Sequence, residues 1–564
     1  MRLGSHAKSS ALCVGVAIAA LLLPASAYAA WSGATQVKGF SEGKNVLAGI
    51  DDDGTQQLGL LAATAPEGPG LYSLTRTPGA SDWSSKKVFG PINNGRFAFA
   101  RSGAAVVAWE GAQEGGKPTV WAAYRPAGKA WGAPAKLDNP PKLGKAPQPV
   151  ISDKGQAAVV WSRKTDAGLR EPDQIVYAAT TTTSWPPAPS ELAKIAVAQP
   201  KDEEFNVCLP GSDLIAGMLP SGTPIVAWND AYGSYKQEVV DLVPPIESGD
   251  DELGVCGVRV ATPGNTQNVT GRPGIGWGAT PAAPIPFWSP VGFEVDPVTG
   301  RTALVMRGND DAVTDDNAVC DAPGAQEVDY CFDNPAFETR LSLGTGTDVP
   351  HPGTLTAALV RVSLRNGFVA VATRGSSAPA LAGGIGTGFP TLATLNPDTA
   401  LTSSALAVGP KGEAQLLIHN GVNLLKTFGA GAGSQLAAGN DIETSQAAPS
   451  VAIGCNGDAL VAWNRGVNGI FAAVNPTGAA QCGGGGGSGE EPSTPGSPST
   501  PSTPAAPGQP SSGSGGSTAG AAPAPVPLPG AVPKTVKCKK GFQKKTVHGK
   551  ARCVKKKARK GKKH

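Results

Sequence analysis

The chain reads as all-β: a β-propeller of seven or eight four-stranded blades closed by strands from both ends, followed by a disordered linker and a small basic tail. Three observations predict it. First, a stretch such as Pro449-Ser-Val-Ala-Ile-Gly-Cys-Asn-Gly457-Asp-Ala-Leu-Val-Ala-Trp463 recurs as Ser102-Gly103-Ala-Ala-Val-Val-Ala-Trp109, Asp153-Lys-Gly155-Gln-Ala-Ala-Val-Val-Trp161 and Ser221-Gly222-Thr-Pro-Ile-Val-Ala-Trp228. Its returning run barely alternates apolar with polar, so it is a strand buried on both faces, which a lone sheet cannot provide. Second, turn glycines at Gly54, Gly103, Gly155, Gly222, Gly300, Gly367, Gly412 and Gly457 lie roughly 45 to 80 residues apart, the regime of propeller blades. Third, the ends of the folded part are complementary: the last unit stops after Ile470-Phe-Ala-Ala-Val474, and an orphan strand stands at Trp31-Ser-Gly-Ala-Thr-Gln-Val37. Pairing the two removes an exposed sheet edge. The competing readings are an open β-sandwich and two separate β domains.

Taken in order, residues 1–30 carry Arg2 and Lys8, an apolar stretch from Ala11 to Leu23, and a small-x-small site at Ala27-Tyr28-Ala29. This is the pattern of a secretory signal peptide. Cys13 lies inside the apolar stretch, which argues against a lipid anchor there. No later segment is long and apolar enough to span a bilayer, so the expected location is extracellular, secreted or held at the cell surface. Residues 31–482 make up the propeller; their richness in Gly and Pro and poverty in Met suit many short strands joined by turns. Clear units continue into third and fourth strands, as in Pro118 to Gly128 leading to Trp131 and Gln174 to Ala179 leading to Trp185. The Gly367 unit is the least regular, and Asp51-Asp-Asp53-Gly54 reads as a hairpin turn.

Outside the signal segment the cysteines form an even set: Cys208, Cys256, Cys320, Cys331, Cys455, Cys482, Cys538 and Cys553. An oxidising compartment favours disulfides, and nearest-neighbour pairing gives 208 with 256, 320 with 331, 455 with 482 and 538 with 553. Spacing alone leaves the connectivity open. Zinc is disfavoured, because there is no Cys-x-x-Cys and His351, His419, His548 and His564 are scattered.

Two insertions break the repeat. One follows Trp228 and carries Asp230, Tyr232 and Tyr235, candidate ligand-binding residues, since long loops on a repeated scaffold are where binding surfaces lie. The other follows Met306 and carries Asp310, Asp311, Asp315 and Asp316 among further acids up to Asp333. That density of oxygen ligands suits calcium, which takes about six to eight of them. The EF-hand spacing is absent, and a solvated acidic loop pinned by Cys320 and Cys331 is the favoured alternative; no other cofactor is expected.

Residues 483–533 collapse to Gly, Ser, Pro, Thr and Ala, a spacer that cannot build a core. Residues 534–564 hold 15 Lys and Arg and no acid. The net charge of +4 therefore hides an asymmetry, because without that tail and the signal segment 31 basic residues face 44 acidic ones. Within the tail, Cys538 to Cys553 reads as a stapled hairpin turning at His548-Gly549.

The hairpins at Asp153-Lys-Gly155 and Asp296 to Gly300 resemble the Asp-box turn of sialidase-like propellers. Ile151 stands where that motif has Ser or Thr, and Gln156-Ala157 where it has a hydroxyl and an aromatic, so the resemblance implies the fold class and carries over no active-site residue. The whole layout of signal peptide, Gly-x-Ala-x-Val-Ala-Trp repeats, spacer and Cys-Lys-Lys-Gly-Phe…Arg-Cys tail is similar to exported β-propeller repeat proteins of high-GC Gram-positive bacteria. That group has no established activity, and the resemblance implies an extracellular or envelope location.

No Gly-x-Ser-x-Gly, His-Glu-x-x-His or phosphate-binding Gly loop is present, so no catalytic residue is assigned. The expected role is binding or scaffolding by a monomer whose loops recognise an extracellular polymer, glycan or protein. Lys534–His564 would hold anionic envelope material such as wall polymers or phospholipid, and any nucleic acid only non-specifically. The alternative is a sialidase-like or other glycoside hydrolase, whose carboxylate pair a sequence does not locate in space.

Overall fold

The structure, a computed structural model, describes most of residues 31–482 and the strands 542–547 and 550–555. Residues 1–30, 166–171, 196–213, 238–250, 270–286, 310–337, 483–541, 548–549 and 556–564, with several shorter stretches, lie outside the described residues. The chain divides into two compact units between Ser488 and Gly489, and each is described by itself.

The first unit is a ring of eight blades. Blade one is β2 (Ser41–Ile50), β3 (Gln56–Thr64), β4 (Gly70–Arg76) and β5 (Ser84–Phe89), because β1 (Thr35–Val37) is held back for closure. Blade two is β6 (Arg96–Phe99), β7 (Ala105–Glu114), β8 (Lys117–Arg125) and β9 (Ala135–Asp138). Blade three is β10 (Leu143–Ile151), β11 (Ala157–Arg163), β12 (Gln174–Thr180) and β13 (Ser190–Lys194). Blade four is β14 (Leu214–Met218), β15 (Pro224–Gln237), β16 (Asp251–Thr262) and β17 (Asn265–Asn268). Blade five is β18 (Phe287–Val295), β19 (Arg301–Asn309), β20 (Glu338–Thr345) and β21 (Gly353–Leu355). Blade six is β22 (Leu359–Arg365), β23 (Phe368–Arg374), β24 (Leu381–Gly386) and β25 (Ala393–Leu395), so the irregular Gly367 unit is a full blade. Blade seven is β26 (Ser403–Val408), β27 (Ala414–His419), β28 (Leu425–Ala430) and β29 (Ala437–Ala438).

Blade eight is β30 (Ser450–Ile453), β31 (Ala459–Asn464) and β32 (Ile470–Asn475), completed by β1 in antiparallel register, Thr35 opposite Ala472 and Val37 opposite Ile470. The closure from both ends is therefore as the sequence predicts. Cys455 and Cys482 form a disulfide in this blade, with Cα atoms 5.9 Å apart. The second unit contains a hairpin of β33 (Phe542–Val547) and β34 (Lys550–Lys555).

Each blade turns from its first to its second strand through one of the eight glycines, with φ from +73° at Gly300 to +94° at Gly457. In most of them the glycine N–H donates to the carbonyl three residues back, as from Gly54 to Asp51 at 3.0 Å and from Gly155 to Ser152 at 2.9 Å. A type I turn closed by a left-handed residue needs glycine at that last position. Six residues on stands the end of the buried run: Trp109, Trp161, Trp228 and Trp463 are at most 1% exposed.

The apolar clusters sit between blades. Val107 and Trp109 pack back onto blade one, with Leu61 and Leu71, while Val106 and Ala108 pack forward onto Val159 and Trp161 of blade three. Ala158 and Val160 in turn meet Val226 and Trp228 of blade four. The same alternation continues around the ring, through Leu417 with Trp463 and finally Leu460 and Ala462 with Leu58 and Leu60. Burial on both faces explains why these strands read as unbroken apolar runs.

Candidate functional site

In antiparallel blades the first-to-second-strand turns all emerge on one face of the ring, and the second-to-third connections on the other. The two faces are built differently. On the turn face several hairpins hold their neighbours: the Asp52 N–H donates to the Arg101 carbonyl at 2.7 Å, and Ser102 N–H to the Asp153 carbonyl at 3.2 Å. Gln156 Nε2 donates to the Ser221 carbonyl at 3.3 Å, and Asn366 Nδ2 to that of Pro410 at 2.9 Å. Cys455 Sγ lies 3.6 Å from the Asp52 carbonyl oxygen, which brings the belt from the last blade to the first.

Charges reinforce this belt. Arg101 Nε pairs with Asp52 Oδ1 at 2.8 Å, and Arg365 of blade six bridges to Asp153 of blade three. Asp296 of blade five accepts from the Gly367 N–H at 2.6 Å, the Asn366 N–H at 3.1 Å and its own turn's Thr299 Oγ1 at 2.6 Å. Burial alone would raise the Asp296 carboxyl, but the hydrogen bonds from Thr299, Gly367 and Val298 outweigh it and hold the group below the usual carboxylate range. The Asp153 carboxyl is raised, because burial outweighs the attraction of Arg365 and Arg101. Burial, with the like charges of Asp53 and Asp52, takes Asp51 up to about 6 against a hydrogen bond from the Thr55 N–H. The two Asp-box-like turns thus use their aspartates to join blades.

The opposite face carries the first insertion, on blade four; residues 310–337 of the second, between β19 and β20 of blade five, lie outside the described residues. Beyond Trp228 the β15–β16 hairpin outruns β14, pairing Asn229 with Val258 and reaching Gln237 opposite Asp251. Asp230 is fully buried and bridged by Arg259 Nη1 at 2.8 Å, so it braces the base of this hairpin. Tyr235 lies further out, opposite Leu253, and Tyr232 falls at a register shift between Ala231 and Gly233; their side chains are outside the described residues. Asp310, Asp311, Asp315 and Asp316 also lie outside the described residues, as do Cys208, Cys320, Cys331 and Cys538 and the side chains of Cys256 and Cys553. Among the described residues no His, Cys, Asp and Glu group is placed to hold a metal ion.

This face also has a cleft of about 360 Å³ between blades two and three, lined by Glu110, Gln113 and Pro118 on one side and Pro141, Lys142 and Lys145 on the other. One wall is fixed by packing: a Cβ on Gly144 would stand 2.2 Å from Pro172 Cγ. One residue passed over in the sequence is Glu294, on β18, the innermost strand of blade five. It is exposed, yet protein surrounds it so closely that burial pushes its carboxyl up to about 7. No sequence signal marks Glu294, since its environment is made by the whole ring.

These features define the class, an eight-bladed β-propeller whose turn face carries hydrogen bonds between neighbouring hairpins and whose opposite face carries an extended hairpin and a cleft. No protein-family model and no curated protein matches the chain. Among solved structures, a polysaccharide lyase (ulvan lyase) superposes with a TM-score of 0.38 at 11% identity, over 78% of this chain and 95% of that one. The α-L-arabinanase of Penicillium chrysogenum gives 0.35 at 9% identity over 79% and 98%. A Hadza microbial sialidase gives 0.32 at 10% over 80% and 93%. The likeness is one of fold and carries none of their chemistry to this chain. Among the described residues no helix is long and apolar enough to cross a membrane.

Proposed function

We propose that this is a secreted, envelope-associated binding protein whose insertion-bearing face recognises an extracellular polymer or protein. The asymmetry of the two faces carries the reading: on one, several short turns are hydrogen-bonded to their neighbours and reinforced by ion pairs, while the other presents an extended hairpin and a polar cleft. Binding energy on a rigid scaffold resides where loops and concave polar groups are presented. In this reading residues 1–30 direct export, 483–533 form a spacer, and Lys534–His564 attach to anionic wall polymer or lipid headgroups.

The test is retention of the full secreted chain on a panel of glycans, wall polymers and envelope fractions. Shortening the β15–β16 hairpin, or Lys142→Glu with Lys145→Glu, should abolish retention of the recognised polymer. Retention unchanged by both would refute the assignment of this face. Added salt should release the chain from envelopes, and a chain ending at Cys482 should not attach to them. The glycoside hydrolase alternative has one specific support, the Glu294 carboxyl, which burial pushes up to about 7. Released sugars lost in Glu294→Gln would favour it.

A further inference from the structure

The cleft between blades two and three is walled by two segments that their own contacts hold in place. On one side β7 runs on past Ala108, where its pairing with β6 ends, and turns back with Glu114 opposite Lys117. Thr119 Oγ1 donates to the Ala112 carbonyl at 2.9 Å, and Lys136 Nζ pairs with Glu114 Oε2 at 2.7 Å, so this hairpin is fixed. On the other side the Lys164 N–H donates to the Lys142 carbonyl at 3.0 Å. Register shifts on both sides of Lys145 break the alternation of β10 there, which lets Lys142 and Lys145 line the same cleft. Glu110 and Gln113 line the hairpin wall, and Pro118 and Pro141 add apolar rings. We propose, on the reading of this face as the binding surface, that the cleft takes an anionic glycan, a chain of sugar or polyol units bearing carboxylate or phosphate groups.

The charge balance names the class. Outside the tail and the signal segment the chain carries 31 basic residues against 44 acidic ones, so its overall field repels a polyanion. At the cleft the balance reverses. Lys142 and Lys145, with exposed Lys117 beside them in sequence to Pro118, stand against Glu110, while Glu114 is already paired with Lys136. Lys142 is exposed and enters no ion pair among the described residues. A lysine ammonium is a compact point charge that suits either a carboxylate or a phosphate. Glu110 and Gln113 can accept hydrogen bonds from hydroxyls, and proline rings pack against the C–H groups of a sugar or polyol. Cations and hydroxyl acceptors side by side suit a charged glycan better than a bare polyanion, which Glu110 would repel. The volume of about 360 Å³ lies at the small end of the range for ligand sites, so the cleft grips a short stretch of the chain.

Chemical acetylation of the full chain, read lysine by lysine after digestion, tests this and keeps the basic tail separate from the cleft. The probes are an oligogalacturonate, its neutral methyl ester and a glycerol phosphate oligomer. At least one acidic oligomer should slow the acetylation of Lys142 and Lys145 relative to exposed Lys86 of blade one, and the methyl ester should not. Which acidic oligomer protects tells carboxylate from phosphate. Lys142→Glu, a change at an exposed position, should raise the oligomer concentration that half-protects Lys145 by about tenfold. Equal protection by the methyl ester would overturn the anionic class while leaving the face a binding surface. No protection by any of the three, or an unchanged midpoint in Lys142→Glu, would also overturn it; polymer retention lost on shortening the β15–β16 hairpin would still uphold the wider reading.

Discussion

At the scale of single residues, the raised carboxyls make a signed statement about pH. Glu294 is pushed up to about 7 and Asp51 to about 6 in the folded ring, both above their ordinary values. A group whose folded value is raised binds its proton more tightly when folded, so its stabilising contribution is complete at low pH and is lost as pH rises through the folded value. The ring should therefore melt at a higher temperature at mildly acid pH than at weakly alkaline pH. Glu294→Gln should flatten the upper part of that dependence, and an unchanged slope would show that Glu294 does not titrate there. The turn glycines give a second contrast. Gly222 has φ +81° and a Cβ there would lie 2.4 Å from Gln156 of the neighbouring blade, while Gly79 has φ +80° with nothing within 4 Å. Gly79→Ala should cost only the left-handed backbone penalty, about 1–2 kcal/mol, and Gly222→Ala more. Equal costs in denaturant titrations would mean that Gln156 yields freely.

At the scale of strands and hairpins, the second strand of each blade dominates packing. Trp161 is fully buried, packs onto blade two, and donates its indole N–H to Asp138 Oδ2 at 3.0 Å. Trp161→Ala should cost about 3–5 kcal/mol, read as a loss of folded protein or a lowered midpoint. Removing residues 31–37 should leave β32 as a bare edge, and the product should self-associate in sedimentation; a monomer as stable as the parent would contradict the role of β1. These elements were legible because their causes are local. Only glycine suits the turn positions, and a strand buried on both faces must read as apolar throughout. Blade six was harder, since Thr373 stands where the clear units have Trp, yet Val369, Ala370, Val371 and Ala372 bury the same run with smaller side chains. The candidate site was less legible. The bridge from Arg365 to Asp153, the enclosure of Glu294 and the cleft at Lys142 and Lys145 arise from residues far apart in sequence, and no local pattern announces them. Asp230, expected as a ligand-binding residue, stands at the root of an insertion with its carboxylate bridged to Arg259.

At the scale of the molecule, apolar material lies in the seams between blades, so each blade is satisfied only when both neighbours are present. The closing pair is the extreme case: Thr35 Oγ1 reaches the Ala472 carbonyl across 437 residues of sequence. On the ribosome, then, the strand synthesised first is the one placed last. Until the far end of the chain has emerged, β1 is an unpartnered strand tethered to growing blades, and β2 lacks the neighbour that covers one of its faces. Such a chain matures by annealing its two ends rather than by extending a finished nucleus, and its slow step belongs to the meeting of those ends. Nascent chains stalled before β32 would therefore be those most exposed to pairing with one another, whichever blades they had already assembled.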